Sequence, residues 1–180
     1  MTGPGITLSP RAVLIGPPGA GKSAVGPILA ELLGTSFRDT DADIAAAAGQ
    51  PVSDIFIEQG EPAFRQLERE ATARALREHS ERGGVLALGS GAVLDPGLQH
   101  RLEGLPVVYL AADFATIARR LGLDRPHVVV PGNPRGRLRI MLEERRPLYE
   151  RLATVTIKTD DLDPDELAAQ IAAALIEPPR

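Results

Sequence analysis

The stretch Gly16-Pro17-Pro18-Gly19-Ala20-Gly21-Lys22-Ser23 decides how the rest of the chain is read. It follows a short apolar run, Ala12 to Ile15, and precedes a helical pattern, which is the setting in which such a segment cradles phosphate. Gly16, Gly19 and Gly21 permit a tight turn whose N–H groups point inward at anionic oxygens, and the following helix adds the positive end of its dipole. Lys22 is placed to reach the β and γ phosphates of a nucleotide, and the Ser23 hydroxyl to take Mg²⁺, a hard cation that prefers oxygen. Gly19, Ala20, Gly21, Lys22, Ser23 and Ala24 are therefore the candidate nucleotide contacts. A glycine-rich turn that happens to precede a helix is the competing reading. Lys22 and Lys158 are the only lysines beside eighteen arginines, so a compact point charge is kept where phosphate suits one.

Further apolar runs at Val85 to Leu88, Pro106 to Leu110 and Thr154 to Ile157 are separated by longer amphipathic stretches. From Glu61 to Ser80, Phe64, Leu67, Ala71 and Ala75 recur at helical spacing. Asp163, Pro164 and Glu166 mark the start of a last helix, as cap, first-turn proline and capping-box partner. Strands alternating with helices imply an α/β fold with a mostly parallel sheet covered on both faces, because parallel strands need crossover connections. With 180 residues and no repeat or linker, a single domain over 1–180 is expected, its core spanning about 11–177. Residues Gly122 to Gly136, with Pro126, Pro131 and Pro134, read as a long loop.

Composition narrows the function. A hydrophobic share of 43% and a charged share of 24% match a globular protein rather than a disordered one. No apolar run approaches a membrane span, and the run at Ala12 is broken at once by Gly16, Pro17 and Pro18, so neither an anchor nor a secretory core is read and a cytoplasmic location is expected. The absence of cysteine removes disulfides, thiolate metal sites and thiol nucleophiles. A net charge of −4 argues against nucleic acid as partner. Locally, Arg135, Arg137, Arg139, Arg145, Arg146 and Arg151 crowd one stretch that suits a small anion. The three histidines have no metal-ligand spacing.

The phosphate cradle is a P-loop, and it specifies a nucleotide but no acceptor. The acceptor must be read from Phe37-Arg38-Asp39-Thr40-Asp41. If this segment is still extended as a strand ends, Asp39 and Asp41 project from one face, one to hold hydrated magnesium and the other a substrate hydroxyl. Thr40 and Asp41 also suit the cap of a helix beginning near Ala42, and the two readings stand together at this point.

In order along the chain, GPPGAGKS, FRDTD, SDIFIEQGEPAFRQLE, LALGSGAV, DRP and RRPLYERLA resemble the shikimate kinase family over almost the whole length. The resemblance implies a P-loop NTPase three-layer sandwich with a five-stranded parallel sheet of the nucleoside-monophosphate-kinase type. It also implies a mobile lid over about 122–136. The implied reaction is phosphorylation of the 3-hydroxyl of shikimate, with ATP and Mg²⁺, by a monomer. By motif, Asp39 with Ser23 resembles the metal site and Asp41 the residue that binds the acceptor hydroxyl. Lys22 and Arg125 resemble the groups that neutralise phosphoryl charge, and Arg120 a residue facing the nucleotide. Arg65, Arg145, Gly89, Ser90 and Gly91 resemble the substrate pocket, with Glu68 supporting Arg65 and with Phe56 and Phe64 as nearby aromatics. Asp163-Pro164 with the preceding loop resembles the segment that packs against adenine. Guanidinium forks suit a carboxylate that lysine cannot grip in the same way. Ordinary helix pairing, Arg65 with Glu61 and Glu68 or Arg145 with its acidic neighbours, explains the arginines nearly as well without the resemblance.

Two positions depart from the family pattern. Ser90 stands where three glycines are usual, harmless at negative φ and strained at positive φ. His127-Val128 replaces paired leucines in the lid. Another small-metabolite kinase of gluconate type, or a nucleotide-binding regulatory module without turnover, are the alternatives.

Overall fold

The structure is a computed structural model that describes residues 11–124 and 132–176. Arg125, His127, Val128 and the middle of the expected lid lie outside the described residues. Five strands form one parallel sheet: β1 (Ala12–Ile15), β2 (Phe37–Asp39), β3 (Val85–Ala87), β4 (Val107–Ala111) and β5 (Val155–Lys158), in the order β2-β3-β1-β4-β5. All four pairings are parallel, with Leu14 beside Ala87 on one flank and Val108 on the other. β1, β3 and most of β4 are buried on both faces, which is why they read as unbroken apolar runs. The edge strand β5 instead alternates, with Val155 and Ile157 turned inward and Thr156 and Lys158 outward.

Strand alternation divides the core. Ala12 and Leu14 face α1 (Lys22–Leu32) and α7 (Pro164–Ile176), where Val25, Leu29, Leu167 and Ile171 complete one cluster. Val13 and Ile15 face the other way, onto a cluster with Leu86, Leu98 and Tyr149 supplied by β3, α4 (Pro96–Leu102) and α6 (Pro134–Leu152). Each fully buried Leu or Ile contributes about 1.5–3 kcal/mol relative to exposure. α2 (Thr40–Ala48) and α3 (Val52–Arg82) enclose a third cluster around Ile44, Ile55 and Phe64. α5 (Phe114–Arg120) packs on α6 through Ile117, Leu138 and Leu142.

Several local expectations hold and others are corrected. The last helix opens with a reciprocal capping box, Glu166 N–H to Asp163 Oδ1 at 2.8 Å and Asp163 N–H to Glu166 Oε2 at 3.2 Å. The helix read from Glu61 follows a break at Gly60, whose φ of 80° and ψ of 166° are non-helical, and a shorter helical segment from Val52 precedes it within α3. The loop read as far as Gly136 ends sooner. Asn133 caps α6 through Gly136 N–H at 2.9 Å, and Pro134 occupies the first turn, where no N–H is needed.

Candidate active site

Three adjacent strand ends assemble the site. β1 runs into the glycine-rich loop, β2 ends on Asp39 and β3 runs into Gly89-Ser90-Gly91. Because these strands are parallel neighbours, all three ends open on the same edge, where α/β sheets receive ligands. Gly16 takes φ 149° so close to β4 that a Cβ there would lie 2.7 Å from the Leu110 carbonyl oxygen. Gly21, with φ 100°, is the residue before α1 and lets the chain turn directly into its first N–H groups. The Lys22 ammonium donates to the Gly16 and Pro17 carbonyls at 2.8 and 3.1 Å, folded back over the loop. Burial lowers its pKa to about 8, against the pull of Asp41 and Asp39, with Arg145 lowering it further.

Asp39 is committed at both oxygens. Oδ1 accepts from the N–H groups of Asp41 and Ala42 at 2.9 and 3.4 Å, and Oδ2 accepts the Ser23 hydroxyl at 2.5 Å. The cap of α2 is therefore Asp39, and neither Thr40 nor Asp41 has that role. This corrects the sequence reading twice, because the strand stops at Asp39 and alternation along an extended chain is not what brings Asp39 and Asp41 together. The first turn of α2 does so. Thr40 is fully buried and accepts from Gly89 N–H at 3.0 Å, joining the start of α2 to the glycine run.

Asp41 carries the one orphan in this group. Its Oδ1 is buried with no hydrogen-bond partner among the described residues. Burial, then the charge of Asp39, pushes its carboxyl up to about 6, with Glu68 adding to the rise and Lys22 and Arg65 opposing it. Gly89 makes room for it, since a Cβ there would lie 2.6 Å from both Asp41 Oδ1 and Glu68 Oε1. Gly91 does the same for Arg65, whose guanidinium a Cβ would strike. Arg65 donates to Glu68 at 2.6 Å and to Glu61 at 3.1 and 3.3 Å, so helix pairing and placement at the site are one arrangement. Phe64 packs in the α2–α3 cluster, and Phe56 is half-exposed 5.6 Å from it.

Ser90 is not strained, since no non-glycine residue among those described has positive φ. Its hydroxyl meets Arg145 Nη1 at 3.4 Å, and its carbonyl accepts the Tyr149 hydroxyl at 2.6 Å. Tyr149, missed in the sequence reading, is buried and stacked on Tyr109 at 5.1 Å. Arg120 donates to the Gly19 carbonyl at 3.0 Å and to the Thr159 carbonyl at 2.7 Å. Beyond Arg65 a cavity of about 690 Å³ opens between α3 and α4; Glu68 and Gly91 line it, and Lys22, Asp39, Asp41 and Arg145 do not.

The donor set fits Mg²⁺. Ser23 and Asp39 present adjacent hard oxygens, and no cluster of three His, Cys, Asp or Glu groups among the described residues forms a protein-only cage, as suits an ion that keeps waters and substrate phosphates. The whole arrangement offers a phosphate cradle, a carboxylate free to accept a hydroxyl proton, and two guanidinium groups for an anionic substrate.

The family model for shikimate kinase matches residues 18–176. A shikimate kinase of Thermobifida fusca (strain YX) is 52% identical over 166 residues, covering 92% of this chain and 95% of that protein. One from Salinispora arenicola (strain CNS-205) is 49% identical, covering 93% and 99%. Among solved structures, shikimate kinase from Acinetobacter baumannii in complex with shikimate superposes with a TM-score of 0.81 at 36% identity, covering 95% of this chain and 94% of that one. A gluconokinase from Sinorhizobium meliloti 1021, at 21% identity and a TM-score of 0.58, shares the fold alone.

Proposed function

Because the chain belongs to the shikimate kinase family, we propose that Asp41 receives the proton of the substrate hydroxyl during phosphoryl transfer, with Arg65 and Arg145 holding the substrate carboxylate. The reaction is transfer of the γ-phosphoryl group of ATP to the 3-hydroxyl of shikimate, giving ADP and shikimate 3-phosphate, a step toward chorismate and the aromatic amino acids. The observation that carries the assignment is the buried Asp41 Oδ1, without a partner among the described residues and facing the glycine run.

Asp41 orients the attacking hydroxyl and takes its proton as the new O–P bond forms and the bond to the leaving ADP oxygen breaks. Lys22 leaves the Gly16 and Pro17 carbonyls for phosphate oxygens and, with Arg125, neutralises charge on the transferring group. Ser23 and Asp39 would hold Mg²⁺, which would supply charge compensation for the phosphates. Gly19, Ala20, Gly21 and Ala24 line the nucleotide side. Arg65, fixed by Glu61 and Glu68, and Arg145, beside Ser90, clamp the carboxylate bidentately. The same reading places the enzyme in the cytoplasm as a monomer with one domain over 1–180. Among the described residues no helix is long and apolar enough to cross a membrane.

ADP release measured with ATP–Mg²⁺ and, in turn, shikimate, quinate, gluconate and nucleoside monophosphates tests the acceptor. Turnover with shikimate far above the others is expected. A preference for gluconate would overturn shikimate as the acceptor, and a preference for a nucleoside monophosphate, which has no carboxylate, would overturn the carboxylate clamp.

A further inference from the structure

We infer that Arg120 is a positioning residue that sets the direction of the phosphate-binding amides by gripping the outer side of the glycine-rich loop; the inference rests on the nucleotide reading above. One guanidinium joins two segments far apart in sequence. Nη1 donates to the Gly19 carbonyl at 3.0 Å, the Ala20 carbonyl at 3.4 Å and the Thr159 hydroxyl at 3.0 Å, and Nη2 donates to the Thr159 carbonyl at 2.7 Å. Thr159 is itself immovable: it is fully buried, and its N–H is bonded to the Ala111 carbonyl at 2.8 Å. The grip thus refers the loop to the carboxyl ends of β4 and β5.

The consequence follows from peptide geometry. In a trans peptide the carbonyl and the N–H of the next residue point in opposite directions, and the chain has no cis bond among the described residues. A carbonyl of Ala20 turned toward Arg120 turns the N–H of Gly21 away from it. The carbonyl of Gly19 likewise fixes the N–H of Ala20, which is already closed in a turn onto Pro17 at 3.2 Å. Gly19 and Gly21, both at positive φ, have no side chain to resist rotation of these peptides, so the Arg120 grip adds a brake from outside the loop to the turn that Ala20 N–H closes onto Pro17. Lys22 cannot serve, since it is the group that must move to phosphate. Arg120 acts from behind, and its effect reaches the phosphates without touching them.

A base-free ligand separates this role from contact with the nucleotide base. Calorimetric titration of the full chain with inorganic tripolyphosphate, and separately with ADP, is to be made for wild type, Arg120→Gln, Arg120→Lys and Thr159→Val. Arg120→Gln is expected to weaken both ligands by the same factor, roughly tenfold, the typical effect of losing a charge-assisted bond. Thr159→Val, which removes one acceptor far from any phosphate, should weaken both by a smaller common factor, and Arg120→Lys should recover part of the loss. In steady-state kinetics KM for ATP should rise with KM for shikimate unmoved. Weakened ADP binding with tripolyphosphate unaffected would replace the inference with a base contact. Unchanged binding of both, with only a lower Tm, would reduce Arg120 to a structural tie. Absence of tripolyphosphate and ADP binding in the wild type would reject the nucleotide reading itself.

Discussion

Ser23 and Asp39 share a 2.5 Å hydrogen bond while the other oxygen of Asp39 caps α2. The phosphate loop and the helix that carries Asp41 are therefore joined through one carboxylate, and substitutions at Asp39 report on two things at once.

Asp39→Ala should lose about 1 kcal/mol of stability through the missing cap, whereas Asp39→Asn should keep nearly all of it, because Asn caps as well as Asp. Both should need more Mg²⁺ for half-maximal rate. Urea denaturation alongside Mg²⁺ titration of turnover separates the effects, and wild-type Mg²⁺ dependence in the Asn variant would remove Asp39 from the metal site.

Asp41→Asn should lower kcat by about 10²-fold with KM for ATP nearly unchanged, since a loose transition state needs limited proton removal and misorientation supplies the rest. Wild-type turnover would leave Asp41 without a catalytic role, and Asp39 already fills the capping role.

The raised pKa of Asp41 has a signed consequence. kcat/KM for shikimate should fall as pH drops through about 6, where the carboxyl takes up the proton it would otherwise accept from substrate. Stability moves the other way. A carboxyl at about 6 in the fold and at its ordinary value near 3.8 when unfolded favours folding at low pH, and this gain is lost as pH rises through about 6. Asp41→Asn should thus stabilise the free enzyme at pH 7.5 by on the order of 2 kcal/mol, an advantage that fades toward pH 4. Thermal melts of both proteins across that range check it, and a uniform shift at all pH values would exclude the titration of Asp41 as cause.

Gly91→Ala should displace the Arg65 guanidinium and raise KM for shikimate by roughly tenfold, with KM for ATP unmoved. Arg65→Lys and Arg145→Lys should weaken shikimate by a similar or larger factor, since each replaces a fork by a point charge. A Gly91→Ala enzyme with normal shikimate kinetics would show that Arg65 does not grip the substrate.

Lys22→Ala should abolish measurable phosphoryl transfer while melting close to wild type, because among the described residues Nζ bonds only to two loop carbonyls. Turnover near wild type would withdraw the phosphate-cradle assignment.

Most of the sheet was legible because buried parallel strands must be apolar throughout, as at Ala12–Ile15 and Val85–Ala87. The glycine-rich loop was legible because its chemistry needs a fixed spacing. β2 was harder, having only three partly buried residues, and its end was misplaced because Thr40 has β-branched character yet begins a helix under the Asp39 cap. Tyr149, Thr159 and the bond between Thr40 and Gly89 escaped notice for a different reason. Thr40 and Tyr149 bond to backbone 49 and 59 positions away and Thr159 accepts from the Arg120 side chain 39 positions away, and nothing local in the sequence marks such a partner. The space above Gly89 and Gly91 was equally invisible, since only coordinates show what a missing Cβ admits.

The short edge strand β2 has an effect on how activity would be lost. Its three residues pair only with β3, and its outer side is secured by Arg38, whose ion pairs reach Asp43 on α2 and Glu78 on α3. The glycine-rich loop hangs instead from β1, the fully buried centre of the sheet. Edges with little buried surface open before centres. On gentle warming the β2–α2 segment should therefore exchange its amide hydrogens first, leaving a chain that still holds nucleotide but has no acceptor carboxylate in place. Inactivation would then run ahead of melting, and added salt, by screening the Arg38 pairs, would widen the gap between the two.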